Sequence, residues 1–187
     1  TGTGRIGIAF LAPAAGEKDM ACAAQIAAAL LDGEHGGRLS GGALAGTNAS
    51  VRYTPRQDAS LFIVTATLPP PDSLRTGRRS AAPTDLSALE EALLGAVRSL
   101  RTSPFLTDEL NAAKQRVLGE ARYEQETDAG LARAVGYADV VGGDSPESWE
   151  ARILQMTAAD VQRFIARYLD PDRRLTIRMV PNSETAP

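Results

Sequence analysis

One histidine and one cysteine set the outer limit of the chemistry this chain can do alone. A zinc site built from His35 and Cys22 would have two protein ligands, fewer than the three or four such sites use. A Ser-His-Asp or Cys-His device would have to run through His35 alone. Glu34 beside His35 brings no further ligand, so the pair reads as a solvated loop tip. Cys22 sits among alanines and reads as a buried, inert thiol. Glu120, Glu124, Glu126 and Asp128 crowd one helical stretch without convincing ligand spacing, and they read as a solvated acidic face. Residues 41–47 are rich in glycine. They lack the Lys-Ser/Thr of a phosphate loop and the spacing of a dinucleotide motif, so they read as a flexible loop. Arg75, Arg78 and Arg79 read as a charged surface loop. Arg38 is the best single candidate for a functional side chain. A guanidinium there could hold a peptide carbonyl or carboxylate, or close an ordinary salt bridge at the end of the loop.

The bulk composition agrees with that negative reading. The chain has 187 residues and 19.7 kDa, with 43% hydrophobic and 23% charged residues. Those are globular values, which exclude a fibre or a disordered chain. Its net charge of −3 is not the balance of a nucleic-acid binder. No run reaches the roughly 18 apolar residues that a membrane span needs. A single cysteine allows no intrachain disulfide, and it leaves both the periplasm and the cytoplasm of a bacterium open. The chain begins at Thr1 without a methionine and reads as a processed product or an excised domain.

The elements that must position these residues can be read from their periodicity. Residues 5–12 alternate Ile6, Ile8 and Phe10 onto one strand face. Residues 17–31 form an alanine-rich helix, with Gly33 expected as its left-handed cap. Residues 33–47 carry six glycines and form an irregular loop. Residues 48–54 and 60–68 make two strands of a hairpin around a turn at 55–58. Pro69, Pro70 and Pro71 stop the second strand. Thr84 is the expected cap of a helix over 86–101, and Ser103-Pro104 breaks it. A long helical region over 107–141 weakens at 126–130, so two helices or a kink are expected there. Pro146 starts a short helix. Thr157 and Asp160 resemble a capping box for a helix carrying Val161, Phe164, Ile165, Tyr168 and Leu169. Leu175, Ile177 and Met179 alternate in a last strand over 174–180. The expected architecture is α+β: a two-layer sandwich with a mixed or antiparallel sheet covered on one face by helices. Residues 1–181 form one domain, and 182–187 a disordered tail.

Several phrases in that order resemble one family. Arg5-Ile-Gly-Ile-Ala-Phe-Leu-Ala-Pro13 is similar to its opening strand. Ala24 to Gly33, then Gly36-Gly37-Arg38-Leu39, is similar to its helix and glycine-rich loop. Leu106-Thr107-Asp108-Glu109-Leu110 with Ala113-Lys114, and Met156-Thr157-Ala158-Ala159-Asp160-Val161 with Tyr168-Leu169-Asp170-Pro171, match two later helices. The chain resembles the C-terminal, non-catalytic half-domain of the insulinase and mitochondrial processing peptidase superfamily of zinc metallopeptidases, the inverzincins. The resemblance covers residues 4–181.

The resemblance implies a division of labour. A zinc-bearing half carries His-x-x-Glu-His, whose histidines bind the metal and whose glutamate activates water. The second half closes a chamber around the peptide. With one histidine, this chain cannot supply the zinc motif, so it carries no catalytic residue and no metal ligand. Zinc is expected in a partner half, on the same precursor or a separate chain. In active members an arginine and a tyrosine after the glycine-rich loop hold the substrate. Here that stretch is shortened: Arg38 is the substrate-binding candidate, and no tyrosine follows it. Bound peptides of the superfamily pair with a sheet edge. The expected partners are therefore the zinc-bearing half and a peptide, with a homodimer also open. The alternative is a scaffold domain of the same fold with no part in proteolysis.

Overall fold

The structure, a computed structural model, describes residues 3–69, 83–103 and 105–180. Four strands form one sheet: β1 Arg5–Ala12, β2 Ser50–Tyr53, β3 Ser60–Thr67 and β4 Arg174–Met179. Their order is β2-β3-β1-β4, and every pairing is antiparallel. Among the described residues, six α-helices accompany the sheet: α1 Lys18–Leu31, α2 Leu86–Thr102, α3 Thr107–Glu124, α4 Asp128–Val141, α5 Pro146–Gln155 and α6 Ala158–Tyr168. The expected α+β sandwich is present, with an antiparallel sheet. Arg75, Arg78, Arg79, Pro70, Pro71, Pro104 and the expected tail lie outside the described residues. No helix of the described residues is long and apolar enough to cross a membrane.

Strand alternation builds the core. Ile6, Ile8, Phe10 and Ala12 of β1 and Phe62, Val64 and Ala66 of β3 point to the helical layer and are buried. Helices α1, α2 and α6 cover them. In α2 the buried residues Leu89, Leu93, Val97 and Leu100 keep helical spacing. Phe164 of α6 packs on Phe62, with ring centroids 5.7 Å apart.

Local signals fix most of the helix ends. Thr157 and Asp160 close a reciprocal capping box at α6. Ser145 caps α5, with Pro146 at its first position. The long helical region divides after Gln125, and the Thr127 hydroxyl restarts it by accepting from the Gly130 amide.

Two expectations are corrected. The cap of α2 is Asp85 rather than Thr84: its carboxylate accepts from the amides of Ser87 and Ala88, both at 2.8 Å. Gly33 does not end α1 in a left-handed conformation. The chain leaves through Asp32, and the positive φ falls on Gly36, at 82°. Gly33 is needed for close approach instead, because a Cβ there would stand 2.7 Å from the Ala49 carbonyl oxygen. The glycine-rich loop also has more order than its composition suggests. Arg38–Ser40 and Gly42–Leu44 are single 3₁₀ turns, and Leu39 and Leu44 plug into the core.

Among the described residues, none covers the second face of the sheet. Leu11, Leu61, Leu175 and Ile177 stand 51–62% exposed on it. In β4 the apolar set therefore faces solvent, while Arg174, Thr176 and Arg178 turn to the helical side opposite Phe10, Ile8 and Ile6. They meet there around Glu90 of α2, which is 7% exposed. Glu90 accepts from Arg178 at 2.6 and 3.1 Å, from Arg174 at 3.1 Å and from Thr176 at 3.2 Å.

Candidate functional site

The candidate residues divide into two groups in space. Arg38 leaves the glycine-rich loop toward the start of α3. Its Nε donates to Glu109 Oε1 at 2.8 Å and its Nη2 to Glu109 Oε2 at 3.1 Å, a planar fork on a carboxylate. The guanidinium also lies over Phe105, 5.4 Å from the ring centre. The Arg38 bonds hold the Glu109 carboxyl below its usual range, against an opposing effect of burial. Arg38 thus pins the loop to α3, and its Nη1 also donates to the Ser99 carbonyl of α2 at 3.5 Å.

Glu34, His35, Glu120 and Glu124 belong to a different place, a groove of about 650 Å³ along β2. Strand β2 is one edge of the sheet. Its wall faces α3 across a floor made by Gln25, Ala28 and Ala29 of α1. Asp32, at the end of α1, organises the groove. Its Oδ1 accepts from the Val51 amide at 3.1 Å, and its Oδ2 lies 2.5 Å from His35 Nδ1. The Val51 amide therefore points outward from the sheet. In an antiparallel ladder the carbonyl of Val51 and both backbone groups of Tyr53 then point outward too. Tyr53 itself is anchored through its hydroxyl to the Pro13 carbonyl at 2.9 Å. Arg116 of α3 closes the floor by donating to the Ala29 carbonyl at 2.8 Å.

The outward backbone groups of β2 can form hydrogen bonds to an extended ligand. Among the described residues no three His, Cys, Asp or Glu side chains converge to hold a metal ion. The residues present do not fit a zinc site, since His35 has its Nδ1 on Asp32 and no second histidine exists. Cys22 is buried, and desolvation pushes its thiol up to about 12, so it stays protonated. Below the groove mouth, Trp149 of α5 donates to Gln25 at 2.7 Å. Asp32 and Trp149 are residues sequence reading missed. The Asp32-x-x-His35 spacing was the available signal for the first, while Trp149 gave none, because its neighbours come from other elements.

The Asp32–His35 contact predicts a pH effect. The hydrogen bond to Asp32 is the main cause raising His35 above its ordinary 6.5. Burial opposes it, Glu120 adds to it and Arg116 opposes it. A raised folded value means that the stabilisation is complete below 6.5 and fades as pH rises through the raised value. Asp32→Asn keeps an acceptor for Val51 but removes the charge. Thermal melts from pH 5.5 to 8.5 are expected to show a downward slope in the native chain that flattens in this variant. Equal slopes would contradict the assignment.

The fold is one shared with solved peptidase domains, two of them described as inactive. Over 100% of this chain and 95% of the other, it superposes with a TM-score of 0.77 on the inactive peptidase domain of a Bordetella parapertussis protein named provisionally as a zinc protease. The two are 22% identical. A protease from Helicobacter pylori matches 97% of the chain, with a TM-score of 0.78 and 16% identity. The chain spans 42% of that protease's length. A peptidase M16 inactive domain from Pseudomonas fluorescens matches at 0.74 and 15% identity, over 43% of its own chain. At these identities the likeness is one of fold. No family model and no curated protein matches the sequence.

Proposed function

We propose that this chain is the non-catalytic half of a zinc metallopeptidase of the insulinase and mitochondrial processing peptidase superfamily. It closes the peptide chamber of a partner half that bears His-x-x-Glu-His. The observation that carries this is its end-to-end correspondence with the Bordetella inactive peptidase domain. The sheet face left open among the described residues supports it: exposed apolar surface of this kind marks an interaction site. The groove supports it as well, because an edge strand with outward backbone groups binds extended peptides with little regard to sequence. Arg38 enters as the substrate-binding residue through the N–H groups left outside its bonds to Glu109 and the Ser99 carbonyl.

A second reading is favoured by that same fork. With the guanidinium engaged by Glu109, the chain could serve as a scaffold of the same fold. The two readings separate on capture of the chain's partners from its native extract, with mass spectrometry of what stays bound. The peptidase reading expects a chain, or a longer form of this one, with His-x-x-Glu-His. Recovery of structural or membrane proteins alone would move the assignment to the scaffold.

A further inference from the structure

The helix α4 stands off the body of the domain and buries none of its residues. Beneath it lies a cavity of about 490 Å³. Its lining is dominated by Ala15, Ala21, Ala121, Ala134 and Ala138, with the Trp149 indole as one wall. Small side chains on both sides of the gap leave it open, whereas protein interiors are close-packed. The more enclosed polar groups around it are committed within the protein, while Glu124 and Arg133 line it as largely exposed side chains 4.0 Å apart. Lys18 holds Asp144 at 2.8 Å, Trp149 donates to Gln25 and Tyr137 donates to the Pro55 carbonyl. Among the described residues no buried side-chain nitrogen or oxygen lacks a partner. The buried part of the cavity therefore needs no polar ligand group.

The cavity is continuous with the groove on β2. Gln25, Thr54, Pro55, Ala121, Glu124 and Trp149 line both. Side chains of an extended peptide alternate in direction, so a strand paired with Tyr53 turns alternate residues toward the helical side, where the cavity opens. The volume is roughly three times that of a cavity that takes up benzene, which suits an aromatic ring together with part of its neighbour. The geometry points to a side-chain pocket: the cavity beneath α4 takes one large apolar residue, aromatic by preference, of an extended peptide lying on the β2 edge. This deepens the proposed function, on which it rests, by giving the peptide a required residue class.

Trp149 is the only tryptophan of the chain, so its fluorescence reports on this place alone. The full chain is titrated with an unstructured seven-residue peptide carrying one central Phe, with its Ser counterpart, and with N-acetylphenylalanine amide. Calorimetry runs alongside. The Phe peptide is expected to shift the emission and to bind at least about tenfold more tightly than either of the others. Ala138→Phe fills the cavity from an unburied helix, and it is expected to abolish that preference with unchanged far-UV circular dichroism. Equal binding of the Phe and Ser peptides would overturn the pocket while leaving a backbone-paired peptide site. Binding of N-acetylphenylalanine amide as tightly as the Phe peptide would make it a site for free aromatic molecules, and would overturn the peptide assignment. No binding of any of them would overturn both the pocket and the peptide-binding role beneath it.

Discussion

Phe164→Ala is expected to cost about 3–5 kcal/mol of folding stability. Phe164 is fully buried where α6 meets the sheet, and it touches two other rings. Phe62 is tilted at 5.7 Å, and Tyr168 is stacked at 5.5 Å. Truncation removes that contact area and leaves a cavity that three elements cannot close together. Against a total stability of about 5–15 kcal/mol, that loss is a large share. Urea denaturation followed by circular dichroism measures it. Leu175→Ala is the matched control. It removes a side chain of similar hydrophobicity, but one that is 61% exposed on the bare sheet face, and about 0.5 kcal/mol or less is expected. Comparable losses for the two would mean that the free face is covered in the isolated chain.

The second large effect is at Glu90. Glu90→Ala is expected to cost about 1–3 kcal/mol, because it leaves Arg174 and Arg178 without the carboxylate that holds them against α2. The upper part of the range for a buried pair does not apply, since the arginine side chains are 29% and 48% exposed. The hydrogen bonds from Arg178 are the main cause lowering the Glu90 carboxyl, with burial opposing and Arg174 and Thr176 assisting. A depressed folded value places the stabilisation above the ordinary 4.5 and removes it as pH falls through the lowered value. Glu90→Ala should therefore be less stable than the native chain at pH 7, and the gap should narrow on acidification. A gap that stays constant down to pH 3 would assign the loss to packing rather than to charge.

The two sites differ in how far the sequence reveals them. Phe164 was legible because Val161, Phe164 and Ile165 repeat at helical spacing behind a capping box, and each of those signals is local. So were β1 and β3, whose alternation matches a sheet with one covered face. In β4 alternation presents two sets, apolar at 175, 177 and 179 and polar at 174, 176 and 178. Which set turns inward depends on Glu90, some 84 residues away from Arg174 in sequence. The same holds in the functional region. Arg38 was readable as a residue with work to do, but its partner Glu109 lies 71 positions on. Gly33 looked like a helix cap and instead admits the Ala49 carbonyl, a contact between segments. The groove itself needs β2, α1, α3 and Trp149 together, and only Asp32-x-x-His35 left a short-range trace.

The central claim is that this fold serves a peptidase whose metal is carried elsewhere. The direct measurement is hydrolysis of a quenched-fluorescent unfolded peptide by three samples: this chain, the proposed zinc-bearing partner captured with it, and the two mixed at equal concentration. The claim predicts no turnover by this chain and a rate for the mixture well above that of the partner alone. It also predicts that Ala138→Phe in this chain lowers the mixture's rate for aromatic-containing peptides first. A mixture no faster than the partner alone, with the two chains bound to each other, would contradict a role in proteolysis and leave this half as a scaffold.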